Sequence, residues 1–242
     1  MLFDGTEMLI GKGAQAEVFL YKGFAYKVYK ETYPAEWISF EKKQQREVNK
    51  AGLCPVRYYD TDDPHISRMD YINGVMLEKI VNDCAAGKEV DEIADVPDGF
   101  RMLSKAFKFV HKADIRGLDF PRFSETAGMG LSKENAEKII PVIERISAKT
   151  GECLCHLDMH FLNIMIPKDK SGFKIIDWMN ARIAPAVFDY ARTYVVLKEV
   201  SEEALDLYEA TVLPDLKELR ISEPDFSDAV EVCSIVRARE KA

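Results

Sequence analysis

Apolar and polar residues alternate through Leu9-Ile10-Gly11-Lys12 and again through Ala16-Glu17-Val18-Phe19-Leu20-Tyr21. A third such run, Phe24-Ala25-Tyr26-Lys27-Val28-Tyr29, follows the turn-forming pair Lys22-Gly23. A period of two marks strands, so these runs predict three antiparallel strands with a glycine-containing turn between the first two. The pattern then changes period. Pro34 suits a first helical turn and Gly52 a stop, which predicts a helix over 34–51 with Trp37, Phe40, Val48 and Leu53 as its apolar positions. Two more strand-like runs follow, Val56–Tyr59 and His65–Tyr71. The strand end and turn Met69-Asp70-Tyr71-Ile72-Asn73-Gly74 then predicts a boundary, with one domain over 1–72 and another over 73–242.

Beyond that boundary helical spacing dominates. Met102, Leu103, Ala106, Phe107, Phe109 and Val110 form a stripe ending near His111. Leu131 and Ser132 open a second helix carrying Ala136, Ile139, Ile140, Ile143 and Ile146, with Pro141 placed to kink it. Val187–Val200, Glu202–Val212 and Phe226–Arg239 predict three more. The Arg116–Gly130 segment, with three glycines and a proline, reads as a loop. The class is α+β: a small antiparallel sheet with one helix, then a mostly helical remainder.

Composition narrows the function. The 242 residues are 47% hydrophobic, enough for a core, and contain neither a repeat nor a low-complexity segment. A formal charge of −8 argues against a nucleic-acid partner and is compatible with a cationic small molecule. No stretch is long enough to span a bilayer, and Met1-Leu2-Phe3-Asp4-Gly5 does not begin a signal segment. Five cysteines without regular spacing fit a reducing, cytoplasmic setting. Oligomeric state is not legible.

The chemistry concentrates in two places. Gly11 and Gly13 let backbone approach phosphate oxygens, and Lys27 sits mid-strand among apolar residues, where an ammonium calls for an anion. Glu41 and Glu47 are both placed to pair with it. Downstream, His156-Leu157-Asp158-Met159-His160-Phe161-Leu162-Asn163 is followed fourteen residues later by Asp177, at the end of the apolar run Ile175-Ile176. One carboxylate to meet a hydroxyl, plus an amide oxygen and a second carboxylate to hold Mg2+, are what phosphoryl transfer from ATP requires. His156, Asp158 and His160 also alternate as metal ligands of a hydrolase would, but that reading leaves the glycine turn and Lys27 unexplained. Cys153 and Cys155 read as buried thiols facing one way.

Together these segments resemble the aminoglycoside phosphotransferase and choline kinase-like family, whose fold is that of two-lobed protein kinases. Residues 155–164 are similar to its His-Gly-Asp-x-His-Pro-x-Asn-hydrophobic loop. Ile175-Ile176-Asp177-Trp178 and Pro185-Ala186-Val187-Phe188-Asp189-Tyr190-Ala191 are similar to the segments that follow it. The resemblance implies ATP, or GTP in its place, between the lobes, with adenine against Ile10, Val18, Ala25 and Met165 and the ring edge on backbone from Met69 and Asp70 to Ile72. Lys27, oriented by Glu41, would hold phosphates, Asn163 and Asp177 would hold Mg2+, and Asp158 would be the base for transfer to a small-molecule hydroxyl. His156 and Asp189 would brace the loop. Leu157 replaces the usual glycine and Phe161 the usual proline; leucine is costly there only if its φ is positive. A compact protein kinase and a nucleotide-binding regulator without turnover are the alternatives.

Overall fold

The computed structural model describes residues 3–240, so Met1, Leu2, Lys241 and Ala242, which fall within the segments read above, lie outside the described residues. The chain divides into two compact units, one ending at Gly74 and the other beginning at Val75.

The first unit is a five-stranded antiparallel sheet in the order β1-β2-β3-β5-β4 with one helix. Its strands are β1 (Met8–Lys12), β2 (Ala16–Tyr21), β3 (Phe24–Tyr29), β4 (Tyr58–Tyr59) and β5 (Ile66–Asp70), and α1 spans Ala35–Lys50. Lys22 and Gly23 both take positive φ, 47° and 82°, so a two-residue turn joins β2 to β3 with the twist a hairpin needs. Neither Gly11 nor Gly13 does so, and the Gly13 N–H donates to the Ala16 carbonyl at 2.8 Å. The pairing of β1 with β2 slips at Ile10, one extra residue between Leu9 and Gly11. Trp37 departs from expectation. It is 49% exposed; Val48 and Leu53 are buried as expected, and α1 also buries Ile38 with a polar set, Glu41, Gln44, Gln45 and Glu47. That polar face is held by specific partners, as when Gln45 Nε2 donates to the Val56 carbonyl at 2.8 Å.

The second unit is mostly helical. Its helices are α2 (Leu77–Ala85), α3 (Val96–His111), α4 (Phe123–Thr126), α5 (Lys133–Thr150), α6 (Val187–Val200), α7 (Glu202–Thr211), α8 (Asp215–Glu218) and α9 (Glu223–Glu240). Strand β6 (Gly74–Met76) joins β8 (Ile164–Pro167) and β9 (Lys174–Ile175) in one small sheet. A second sheet pairs β7 (Cys153–Cys155) with β10 (Arg182–Ala184). Ser132 is the N-cap of α5, accepting from the Asn135 N–H, rather than its first residue, and Pro141 is carried within that helix. The short α2 escaped the periodicity argument, and α4 interrupts the segment read as a loop. Phe109 is 43% exposed, turned out of the α3 core face onto the ring of Phe173. The core centres on α6, where Phe188, Tyr190 and Ala191 are fully buried, with Ile139, Ile143 and Ile146 of α5 and Ala229 and Val232 of α9 around them.

Candidate functional site

In the first unit, Lys27 lies on β3 between Val18 on β2 and Ser67 on β5. Its ammonium meets Glu41 Oε1 at 2.6 Å, and the two side chains are only 18% and 4% exposed. The Tyr29 hydroxyl donates to Glu41 Oε2 at 3.0 Å, and the Tyr58 hydroxyl to Oε1 at 3.2 Å. Burial pushes the Tyr29 phenol well above its ordinary range, so it remains a neutral donor. A carboxylate held by an ammonium and two phenols fixes the Lys27 head group in place. Glu47 pairs with Lys50 instead. The two tyrosines were not legible in the sequence as part of this arrangement.

Of the residues assigned to adenine, Ala25 and Met69 are buried, Val18 half-buried and Ile10 44% exposed; Met165 is half-buried on β8 of the second unit. Asp70 is already engaged. Its amide donates to the Arg57 carbonyl at 3.1 Å, and its carboxylate accepts from the Arg57 N–H and the Tyr59 hydroxyl. Ile72 falls between strands and is half-buried.

In the second unit, the loop after β7 is built around the fully buried Asp189. One of its oxygens accepts the Leu157 N–H at 2.6 Å, and the other accepts the His156 N–H at 3.0 Å and the His111 Nε2–H at 2.8 Å. His156 Nε2 donates to the Ile176 carbonyl at 3.1 Å while its ring packs on Trp178. Burial lowers the His156 pKa, which favours a neutral imidazole whose Nε2–H makes that bond. Leu157 takes φ 57°, the left-handed region where a side chain costs energy. The Thr193 hydroxyl donates to the Met159 carbonyl at 2.7 Å, a second tie from α6 to the same loop.

This framework presents Asp158, Asn163 and Asp177. The Asn163 Nδ2 donates to the Asp158 carbonyl at 2.8 Å, which spends the amide nitrogen locally and turns the amide oxygen to other use. Asp177 is tied to the same place through backbone, since the Ile176 N–H donates to the Asn163 carbonyl at 3.0 Å and Ile164 pairs with Ile175. Asp177 itself sits at φ 61°, and its carboxylate takes no hydrogen bond or ion pair among the described residues. An amide oxygen and an uncompensated carboxylate are the hard donors Mg2+ takes, so these residues fit that ion. His160 Nε2 lies 3.7 Å from Asp158 Oδ1. Burial raises the Asp158 carboxyl, but the His160 contact, with the Arg192 charge beside it, outweighs it, leaving it below the ordinary carboxylate range. His160 thus serves Asp158. Cys153 and Cys155 are free thiols, their sulfurs 3.9 Å apart.

A cavity of about 60 Å³ opens beside this loop, lined by Leu157, Asn180, Arg182, Arg192, Arg239 and Glu240 among others. No sequence signal gathered these residues, which come from five separate segments.

No match was found among curated proteins. Among solved structures, an aminoglycoside-3′-phosphotransferase of type VIII is 14% identical, with a TM-score of 0.62 over 96% of this chain and 94% of that one. A Plasmodium vivax ethanolamine kinase is 14% identical, with a TM-score of 0.59 over 97% and 75%. The choline kinase LicA from Streptococcus pneumoniae is 15% identical, with a TM-score of 0.52 over 97% and 83%. These likenesses show a protein kinase-like α+β fold with a small antiparallel-sheet N-lobe and a mostly helical C-lobe. A family model described as "Phosphotransferase enzyme family" matches residues 8–221.

Proposed function

The chain belongs to the phosphotransferase enzyme family, and from that premise we propose that it moves the γ-phosphoryl group of ATP to a hydroxyl of a small molecule. The observation that carries this reading is the grouping around one loop of Asp158, Asn163 and the unpaired Asp177, with the Asn163 amide bonded to the Asp158 carbonyl and the Ile176 N–H, next to Asp177, bonded to the Asn163 carbonyl. Such a set has no evident structural purpose for the Asp177 carboxylate, and left-handed backbone at a non-glycine residue is a cost that function explains.

In this mechanism Lys27, fixed by Glu41, steadies the α- and β-phosphates, and Val18 and Ala25 offer adenine an apolar face. Asn163 and Asp177 would hold Mg2+, which when bound neutralises phosphate charge. Asp158 orients the acceptor hydroxyl. The acceptor oxygen bonds to the γ-phosphorus, the bond from that phosphorus to the β–γ bridging oxygen breaks, and the hydroxyl proton passes to an Asp158 oxygen. A carboxyl held below its ordinary range is a weak base. That suffices, because a loose phosphoryl-transfer transition state leaves the proton on the acceptor until late, and positioning does most of the work.

The test is nucleotide consumption against a panel of alcohols, followed by detection of the phosphorylated product. Asp158→Ala should abolish transfer and leave nucleotide affinity within about threefold of wild type, since the residue meets the acceptor rather than ATP. Persistent transfer would remove Asp158 from its assigned role.

A further inference from the structure

The cavity beside the Asp158 loop carries the wrong charge for a polycationic acceptor. Three guanidiniums, from Arg182, Arg192 and Arg239, line it against a single carboxylate, Glu240. That carboxylate is oversubscribed. Glu240 accepts from Arg192 Nη2, lies 3.9 Å from Arg239 Nη2, and lies 3.3 Å from Arg237 Nη1, a cation that Glu199 also meets at 3.2 Å, so its one charge serves both cavity cations, Arg192 and Arg239, and part of a third. Arg192 is 94% buried, given a side-chain exposure of 6%, and its Nη1 is buried without a hydrogen-bond partner. An orphaned N–H on a desolvated guanidinium is among the most expensive vacancies a fold can carry. Arg182 donates to the Thr126 hydroxyl and to the carbonyls of Met179 and Ala181, and Arg239 Nη1 to the carbonyls of Ala127 and Met129. Burial above all, with the nearby Arg239 adding to it, pushes Arg182 down to about 10.

The geometry points to this cavity as the seat for an oxyanion on the acceptor, so that the substrate is an alcohol bearing a phosphate or carboxylate group. The volume agrees: about 60 Å³ holds roughly four waters, the oxygen count of one tetrahedral oxyanion. Arginine is the side chain whose planar fork matches such groups. The position agrees as well, because Leu157 precedes Asp158 and Asn180 follows Asp177 by three residues, so both walls belong to the segments that carry the proposed chemistry. This inference rests on the phosphotransferase reading, and it reverses the cationic acceptor that the overall charge of −8 had suggested. Net charge reports the whole surface. One cavity can oppose it.

The experiment has two arms, both on the full chain. First, inorganic phosphate and acetate are titrated separately, without nucleotide, into wild type and Arg239→Ala. Arg239 is chosen because it is partly exposed, and Arg192→Gln could disturb the α6–α9 contact. Phosphate, acetate or both should bind wild type, and Arg239→Ala should weaken that binding about tenfold or more, with Arg239→Lys recovering part of it. Second, sugar phosphates, hydroxycarboxylates, aminoglycosides and choline are offered as acceptors with MgATP. Turnover of a sugar phosphate or a hydroxycarboxylate decides which oxyanion is used, and its KM should rise about tenfold or more in Arg239→Ala while the KM for ATP stays in place. Turnover confined to aminoglycosides or choline overturns the inference and leaves the phosphotransferase reading intact. Failure to bind any nucleotide overturns that reading, and the anion arm then decides alone. Absence of binding by either anion, or binding indifferent to Arg239, overturns the inference directly.

Discussion

Replacing Leu157 separates two opposing energies at one backbone position. Its φ of 57° places a Cβ in the left-handed region, a cost of about 1–2 kcal/mol. Against this, the side chain is 7% exposed and packs in the main cluster of the second unit. Leu157→Ala keeps the strain and forfeits the burial. Because the site already adjoins a cavity into which neighbours can relax, a loss near the lower end of the usual range is expected, about 2–3 kcal/mol. Leu157→Gly forfeits the same burial but releases the strain, so it should be the more stable of the two by about 1 kcal/mol. At a position with ordinary φ, alanine would instead lead glycine by about 0.5–1 kcal/mol. The order of the two variants therefore reports the backbone conformation without reference to the size of the cavity. Urea unfolding followed by Trp178 fluorescence is the assay, in a Trp37→Phe background. Trp178 is 1% exposed against the His156 ring, whereas Trp37 is half exposed on the other unit. An alanine variant equal to or more stable than the glycine variant would refute the reasoning.

Two further outcomes follow from the same geometry. Glu41→Gln keeps one acceptor oxygen in place of the two that Tyr29 and Tyr58 use, and leaves the Lys27 ammonium without its charged partner; losing about 1.5–3 kcal/mol of charge-assisted bonding should weaken ATP binding about 10–100-fold in calorimetry. An unchanged affinity would separate the pair from the nucleotide. The Asp158 carboxyl lies below its usual 3.8, so its charged form adds stability that is present above that value and is lost as pH falls through the lower folded value. The acid limb of kcat/KM should accordingly lie below pH 4, and His160→Ala should move it upward; an acid limb near pH 6 that ignores His160 would contradict the assignment.

Much of this arrangement was legible in the chain because it depends on local spacing. The alternation through β1 to β3 fixed the hairpins, and Asp158, Asn163 and Asp177 sit where a loop and a two-strand ladder bring them together. What stayed hidden was set by tertiary partners. Trp37 looked like core, yet α1 buries glutamine and glutamate because strands and loops offer them bonds. The φ of Leu157 depends on Asp189, thirty-two residues downstream, gripping its N–H. Helix α2 is too short for periodicity to distinguish it from a turn. The arginine cavity draws on α4, the Asp158 loop, β10, α6 and α9, and no pattern in the sequence brings those five together.

Calorimetric titration of a non-hydrolysable ATP analogue, with and without Mg2+, bears most directly on the assignment of Asp177. In wild type, Mg2+ should strengthen binding about tenfold or more; Asp177→Asn, which suits the same left-handed backbone, should erase that gain while preserving the fold, and Asp158→Ala should retain it. A full Mg2+ gain surviving in Asp177→Asn would contradict the account at its centre.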